Sequence, residues 1–205
     1  MSEIAVTENL SPQAAVRQEA DSKTALGFWI YIMTDCVLFA SLFATYAVLH
    51  TRTFGGPTSK EVFDMPYILG ETLILLTSSF TCGLAMLAAH RRDKSKVVLW
   101  FAITFALGVA FLAMELADFT HMANIGESWR RSAFLSSYFT LVGTHGLHIT
   151  IGLFWMLVMM IKVFKGKLSS FNLRRLTMLS IFWHFLDIVW IFIFTIVYLM
   201  GAIPV

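Results

Sequence analysis

Eight side chains of this sequence could do acid–base or metal chemistry from within apolar surroundings. They are Asp35, Glu71, Glu115, Asp118, His145, His148, His184 and Asp187. Glu115 and Asp118 lie three residues apart, as do His145 and His148, and His184 and Asp187. On a helix this spacing puts both members of a pair on one face. Two imidazoles on one face could ligate a metal, with His184 plus Asp187 or Glu115 completing the site. Buried carboxylates such as Asp35 and Asp187 could relay protons. The same groups could instead hydrogen-bond neighbouring helices and fix their register.

What must position them is a set of membrane spans. The 205 residues are 58% hydrophobic and 14% charged, with a mean hydropathy of +0.73. A soluble domain carries about 25% charged residues. Crossing a bilayer core takes about 20 apolar residues. Five runs qualify, at 26–49, 66–89, 97–119, 133–161 and 176–200. The fold class expected is an all-α integral membrane protein, a bundle of five transmembrane helices spanning residues 24–205. Residues 1–23 are polar, lack the pattern of a signal peptide, and read as a mobile cytoplasmic tail. Pro66 opens the second run, where its missing N–H costs nothing. The short connection Arg91-Arg92-Asp93-Lys94-Ser95-Lys96 forces an antiparallel hairpin. Basic residues set the orientation: eleven of the fifteen fall in the N-terminal segment and the second and fourth connections. The positive-inside rule then places the N-terminus in the cytoplasm and the C-terminus in the periplasm.

Depth sorts the polar groups. Glu71, Glu115 and Asp118 lie near span ends, where water can reach them. Asp35 lies about 13 Å inside the first span. It reads as a protonated donor or as the partner of a deep histidine. His148, His184 and Asp187 are also deep and read as members of an interhelical hydrogen-bond network, with the spans bearing His148 or Asp35 as neighbours of the His184–Asp187 pair. Six histidines, three of them (His50, His90 and His121) at span ends, are too few for the clustered histidines of a membrane di-iron site. No metal is therefore expected in this chain. Gly143-Thr144-His145-Gly146-Leu147-His148 reads as a small-residue surface for close helix approach, as do Ala85/Ala89 and Ala106/Ala110. Cys36 and Cys82 read as buried free thiols. Lys162, at the inner end of the fourth span, is a candidate ligand for a phospholipid headgroup.

Four ordered stretches carry a resemblance. Trp183-His184-Phe185-Leu186-Asp187-Ile188-Val189-Trp190, Gly143–His148 with Gly152 following, Glu115-Leu116-Ala117-Asp118, and Thr34-Asp35-Cys36-Val37-Leu38-Phe39 resemble elements of subunit III of the haem–copper oxidases. Together they cover residues 24–201. Asp35 stands where that family usually has Glu. The five-span form, Phe28-Trp29-Ile30-Tyr31 and Tyr198-Leu199-Met200-Gly201 look like the branch found in bacterial bo-type ubiquinol oxidases. The resemblance implies a redox-silent supporting subunit of a proton-pumping complex of the bacterial inner membrane. That complex oxidises ubiquinol and reduces dioxygen to water. It implies no catalytic, cofactor or metal site in this chain, haems and copper in subunit I, and packing on that subunit within a complex that also contains subunits II and IV. It further implies bound phospholipid and support of sustained proton uptake. A subunit III of a cytochrome c oxidase is the alternative. A membrane di-metal enzyme or a proton-coupled carrier are further readings.

Overall fold

Helix α1 runs from Pro12 to Leu49 in the computed structural model, which describes residues 12–50, 65–124, 132–166 and 170–200. Side chains are described from residue 22 onward, Ser170 excepted. Pro12 suits a first helical turn, because its fixed φ is helical and no N–H partner is needed there. Residues 12–23, expected as part of a polar tail, are thus helical, and residues 1–11 lie outside the described residues. Four helices follow: α2 (Met65–His90), α3 (Lys94–Asn124), α4 (Ala133–Lys165) and α5 (Ser170–Ile193). A π-helical turn, Phe194–Leu199, continues α5. Five helices are long and apolar enough to cross a membrane. At 31 and 33 residues, α3 and α4 measure about 46 and 50 Å, longer than a bilayer core of about 30 Å.

Contacts divide the chain into two units, one ending at Ala40 and one beginning at Ser41. Within the first, α1 buries Ile32, Asp35 and Phe39 along one stripe and exposes Trp29, Met33 and Val37. Cys36 is exposed, contrary to its reading as a buried thiol, whereas Cys82 on α2 is buried.

In the second unit α2 packs on α3, α3 on α4, α4 on α5 and α5 back on α2, closing a four-helix ring. Polar side chains lie in its interior. Ser78, Thr104 and His145 are fully buried, while Phe80, Phe154 and Phe164 face outward. Lipid is as apolar as the side chains, so packing and hydrogen bonds hold such helices together. Ala85 and Ala89 lie inside, but Ala106 is exposed.

The turn between α2 and α3 is tightly built. Arg92 N–H donates to Ala89 O and Asp93 N–H to Ala88 O, with Arg92 at φ 56°. This is the doubly bonded C-terminal turn that glycine usually fills. Asp93 then accepts from Lys96 N–H at 3.4 Å and pairs with Lys96 Nζ at 3.1 Å. The Lys96 side-chain bond, helped by its backbone N–H, holds the exposed Asp93 carboxyl below the usual carboxylate range. Ser132 caps α4 by accepting from Leu135 N–H.

Candidate functional site

A set of buried polar contacts lies along the seam between α2 and α5. Trp183 Nε1 donates to Ser78 Oγ at 3.0 Å, and Trp190 Nε1 donates to Thr72 Oγ1 at 3.1 Å. His184 Nδ1 lies 3.3 Å from Ser79 Oγ, and the Asp187 carboxyl is hydrogen-bonded to the same hydroxyl. Cys82 Sγ donates to Ser180 Oγ at 3.6 Å. Partners ascend α5 as they descend α2, the order of an antiparallel pair. Ser78 donates onward to Thr104 O of α3, so the seam reaches a third helix.

His184 and Asp187 therefore find their partner on the second span, not on the spans favoured by the sequence reading. The reason is that Ser79 presents a short hydroxyl at their level on the adjoining helix. A signal for this was present. Thr72 and Ser79 are seven residues apart on α2, and their partners Trp190 and Asp187 are three apart on α5, so each pair lines one face. Reading only ionisable residues passes over that match. Serine, histidine and aspartate meet here, but not as a nucleophile relay. That chemistry needs the imidazole between hydroxyl and carboxylate, whereas here Ser79 is the shared member.

Trp183 is wedged at the centre of the ring. A β-carbon on Gly108 of α3 would stand 2.8 Å from its Cη2, and one on Gly152 of α4 would stand 3.2 Å from its Cζ3. The motif glycines thus serve a side chain as well as a helix crossing. Gly146 does the same for Glu115, whose Oε1 lies 2.8 Å from where a β-carbon would be. At Gly143 the nearest atom is a Phe119 ring carbon at 3.8 Å, an ordinary contact.

The paired histidines part ways. His145 donates from Nε2 to Leu186 O of α5 at 3.2 Å, since a carbonyl can only accept. Its ring packs against Trp190 and Phe111, at 5.2 and 5.9 Å between centroids. His148 Nδ1 instead donates to Thr144 O of its own helix at 2.7 Å. Among the described residues no three His, Cys, Asp or Glu side chains converge as a metal-ligand set.

Asp35 is buried, with the Tyr31 hydroxyl hydrogen-bonded to it one turn away. Glu71 and Glu115 are buried, more deeply than expected for groups near span ends, and Asp118 is half-buried. The charges of these three act on one another. Beside them the hydroxyls of Tyr138 and Tyr198 meet at 2.9 Å. Tyr198 belongs to the π-helical turn, where a regular helix was expected, and Tyr46 OH donates to Val197 O of that turn at 3.4 Å. Lys162 is exposed at the opposite end.

The seam and the polar clusters behind it follow the stretches that carried the resemblance, and comparison with known proteins agrees. Residues 13–202 match the family model described as cytochrome c oxidase subunit III. The chain is 56% identical to cytochrome bo(3) ubiquinol oxidase subunit 3 of Pseudomonas aeruginosa, over 90% of this chain and 88% of the relative. It is 50% identical to the protein of the same name from Pseudomonas putida, over 90% and 89%. It is also 46% identical to cytochrome c oxidase subunit 3 of Bacillus sp. strain PS3, over 87% and 86%. The chain belongs to the cytochrome c oxidase subunit III family.

Proposed function

We propose that this chain is the supporting subunit III of a proton-pumping ubiquinol oxidase, packing on the haem- and copper-bearing subunit I beside subunits II and IV in a bacterial inner membrane. The observation that carries the choice of donor is the 56% identity, over nearly the whole chain, to a subunit named for ubiquinol oxidase. The seam supports a structural role. Its tryptophan, histidine and hydroxyl groups pair across the two helices, as Ser78 with Trp183 and Ser79 with His184 and Asp187. In this reading Asp35, Glu71, Glu115, Asp118, His145, His148, His184 and Asp187 are structural, and the chain itself does no electron transfer.

The N-terminus faces the cytoplasm and the C-terminus the periplasm, a reading supported by the basic residues at the Arg91–Lys96 end. Phospholipid binds at that end. A groove of about 680 Å³ there is lined by Val98, Leu99, Ala102 and Phe164, with Lys94 at its edge. Lys162 lies at the same end and supplies a second cation for a phosphate.

Purification of the tagged chain from its native membrane tests the reading. Co-purification with haem-bearing subunits and oxidation of a short-chain ubiquinol are expected. Oxidation of reduced cytochrome c without quinol activity would favour the second reading, which the Bacillus relative supports. Recovery of the chain without haem would sink both.

A further inference from the structure

Two carboxyls at the end of the ring away from Arg91 take no part in the α2–α5 seam. Glu115 is 3% exposed and Glu71 2%. Neither Glu115 oxygen has a hydrogen-bond partner among the described residues, nor has Glu71 Oε1. Among the described residues, the charges that act on Glu115 are those of Glu71 and Asp118, both acidic. Its seat is formed by the missing side chain of Gly146, which lets the carboxyl lie against α4.

An ionised carboxylate with neither a cation nor a donor among the described residues is strongly disfavoured in such an interior. A second carboxylate beside it adds repulsion. Binding a proton removes both penalties and gives the carboxyl a donor of its own. Among the described residues, the titratable groups whose charges act with these carboxyls are Tyr67 of α2, Asp118 of α3, Tyr138 of α4 and Tyr198 of the π turn, and His145 and His148 flank Gly146 on α4. None of these is a lysine or an arginine. The Tyr138 and Tyr198 hydroxyls bond each other, and the His145 and His148 donors point at backbone carbonyls. Asp118 is only half-buried, so it marks the edge from which a proton can enter.

We propose that Glu115, with Glu71 beside it, is a binding site for an exchangeable proton, entered through Asp118. The ligand is a proton delivered by water, and the site does not depend on which electron donor the complex uses. The step is a simple transfer: water gives up a proton to a Glu115 oxygen and carries away the negative charge as hydroxide, or hydronium gives one and leaves water.

Infrared spectroscopy of the purified complex, with its glutamates labelled with carbon-13 at the side-chain carboxyl, tests this. A protonated-acid carbonyl band is expected at neutral pH. It should move with the label, shift on transfer to deuterated water, and vanish in Glu115→Gln. Should that variant fail to assemble, Glu115→Asp removes the same band from the glutamate-labelled set. Asp118→Asn should slow the deuterium shift several-fold. A spectrum with no label-sensitive acid band, or a band that survives both Glu115 variants, overturns the site. An unchanged exchange rate in Asp118→Asn overturns the entry route.

Discussion

The indole of Trp183 occupies the notch left by Gly108: a β-carbon there would lie 2.8 Å from Cη2 and 2.9 Å from Cζ2. A bulky residue of α5 is thus locked into α3, while its N–H is held by Ser78 of α2. Rotation of any one of these helices would break the fit, so this contact sets the register of the ring.

Gly108→Ala should therefore destabilise the fold by about 1–3 kcal/mol, the usual cost of overpacking a filled core. Gly83→Ala is the matched control, since a β-carbon there meets nothing within 4 Å. It should be neutral or slightly stabilising, because alanine favours the helix. Thermal unfolding of the purified complex measures both. Equal effects of the two substitutions would remove the wedge from the account.

Ser78→Ala should cost about 1–2 kcal/mol, because it leaves the fully buried Trp183 N–H without its acceptor. Thr77→Ala, which removes an exposed hydroxyl bonded to its own helix at Leu73 O, should change little. Denaturation midpoints in detergent would separate the two.

Ser79 is bonded to both His184 and Asp187, so Ser79→Ala should reduce assembly more than any single loss of a surface hydroxyl. Turnover per assembled complex should stay near its original value. The haem recovered per tagged chain, set against quinol oxidation per haem, distinguishes these effects. Full assembly with lost turnover would point to chemistry at this cluster instead.

Gly146→Ala should displace Glu115, whereas Gly143→Ala should be tolerated, because the β-carbon contacts would be 2.8 and 3.8 Å respectively. A carboxyl at the end of a side chain can swing, so the cost of Gly146→Ala should fall below that of Gly108→Ala. Midpoints measured on all three variants give the order, and a reversed order would contradict it.

Asp93 supplies a pH dependence outside the spans. Its carboxyl sits below the ordinary carboxylate range because Lys96 bonds it. A depressed folded value means that the contribution is complete above the ordinary range. It is lost as pH falls through the folded value. Protection of the Lys96 amide, whose N–H bonds the carboxylate, measured against its intrinsic exchange rate at each pH, should fall on acidification, and in Asp93→Ala it should be low at every pH. Protection that does not respond to pH would rule out the cap.

Five apolar spans and the pairing of polar groups on single helix faces were legible in the sequence. Hydropathy and helical spacing are local properties, and each run of about 20 residues carries them without reference to its neighbours. The motif at 183–190 also pointed to the family that the comparisons established. The helical start at Pro12 escaped, because a polar stretch can extend a helix without adding to its apolar run.

Which helix answers which polar face was decided only in three dimensions. His184 and Asp187 meet Ser79, His145 reaches Leu186, and His148 turns back to Thr144. Each outcome depends on the rotation and vertical offset of one helix against another. Those are set jointly by the Trp183 wedge at Gly108 and Gly152 and by the Glu115 seat at Gly146. A single helix holds no information on its own rotation against a partner. The notch and the side chain that fills it lie on different spans, and only packing brings them together.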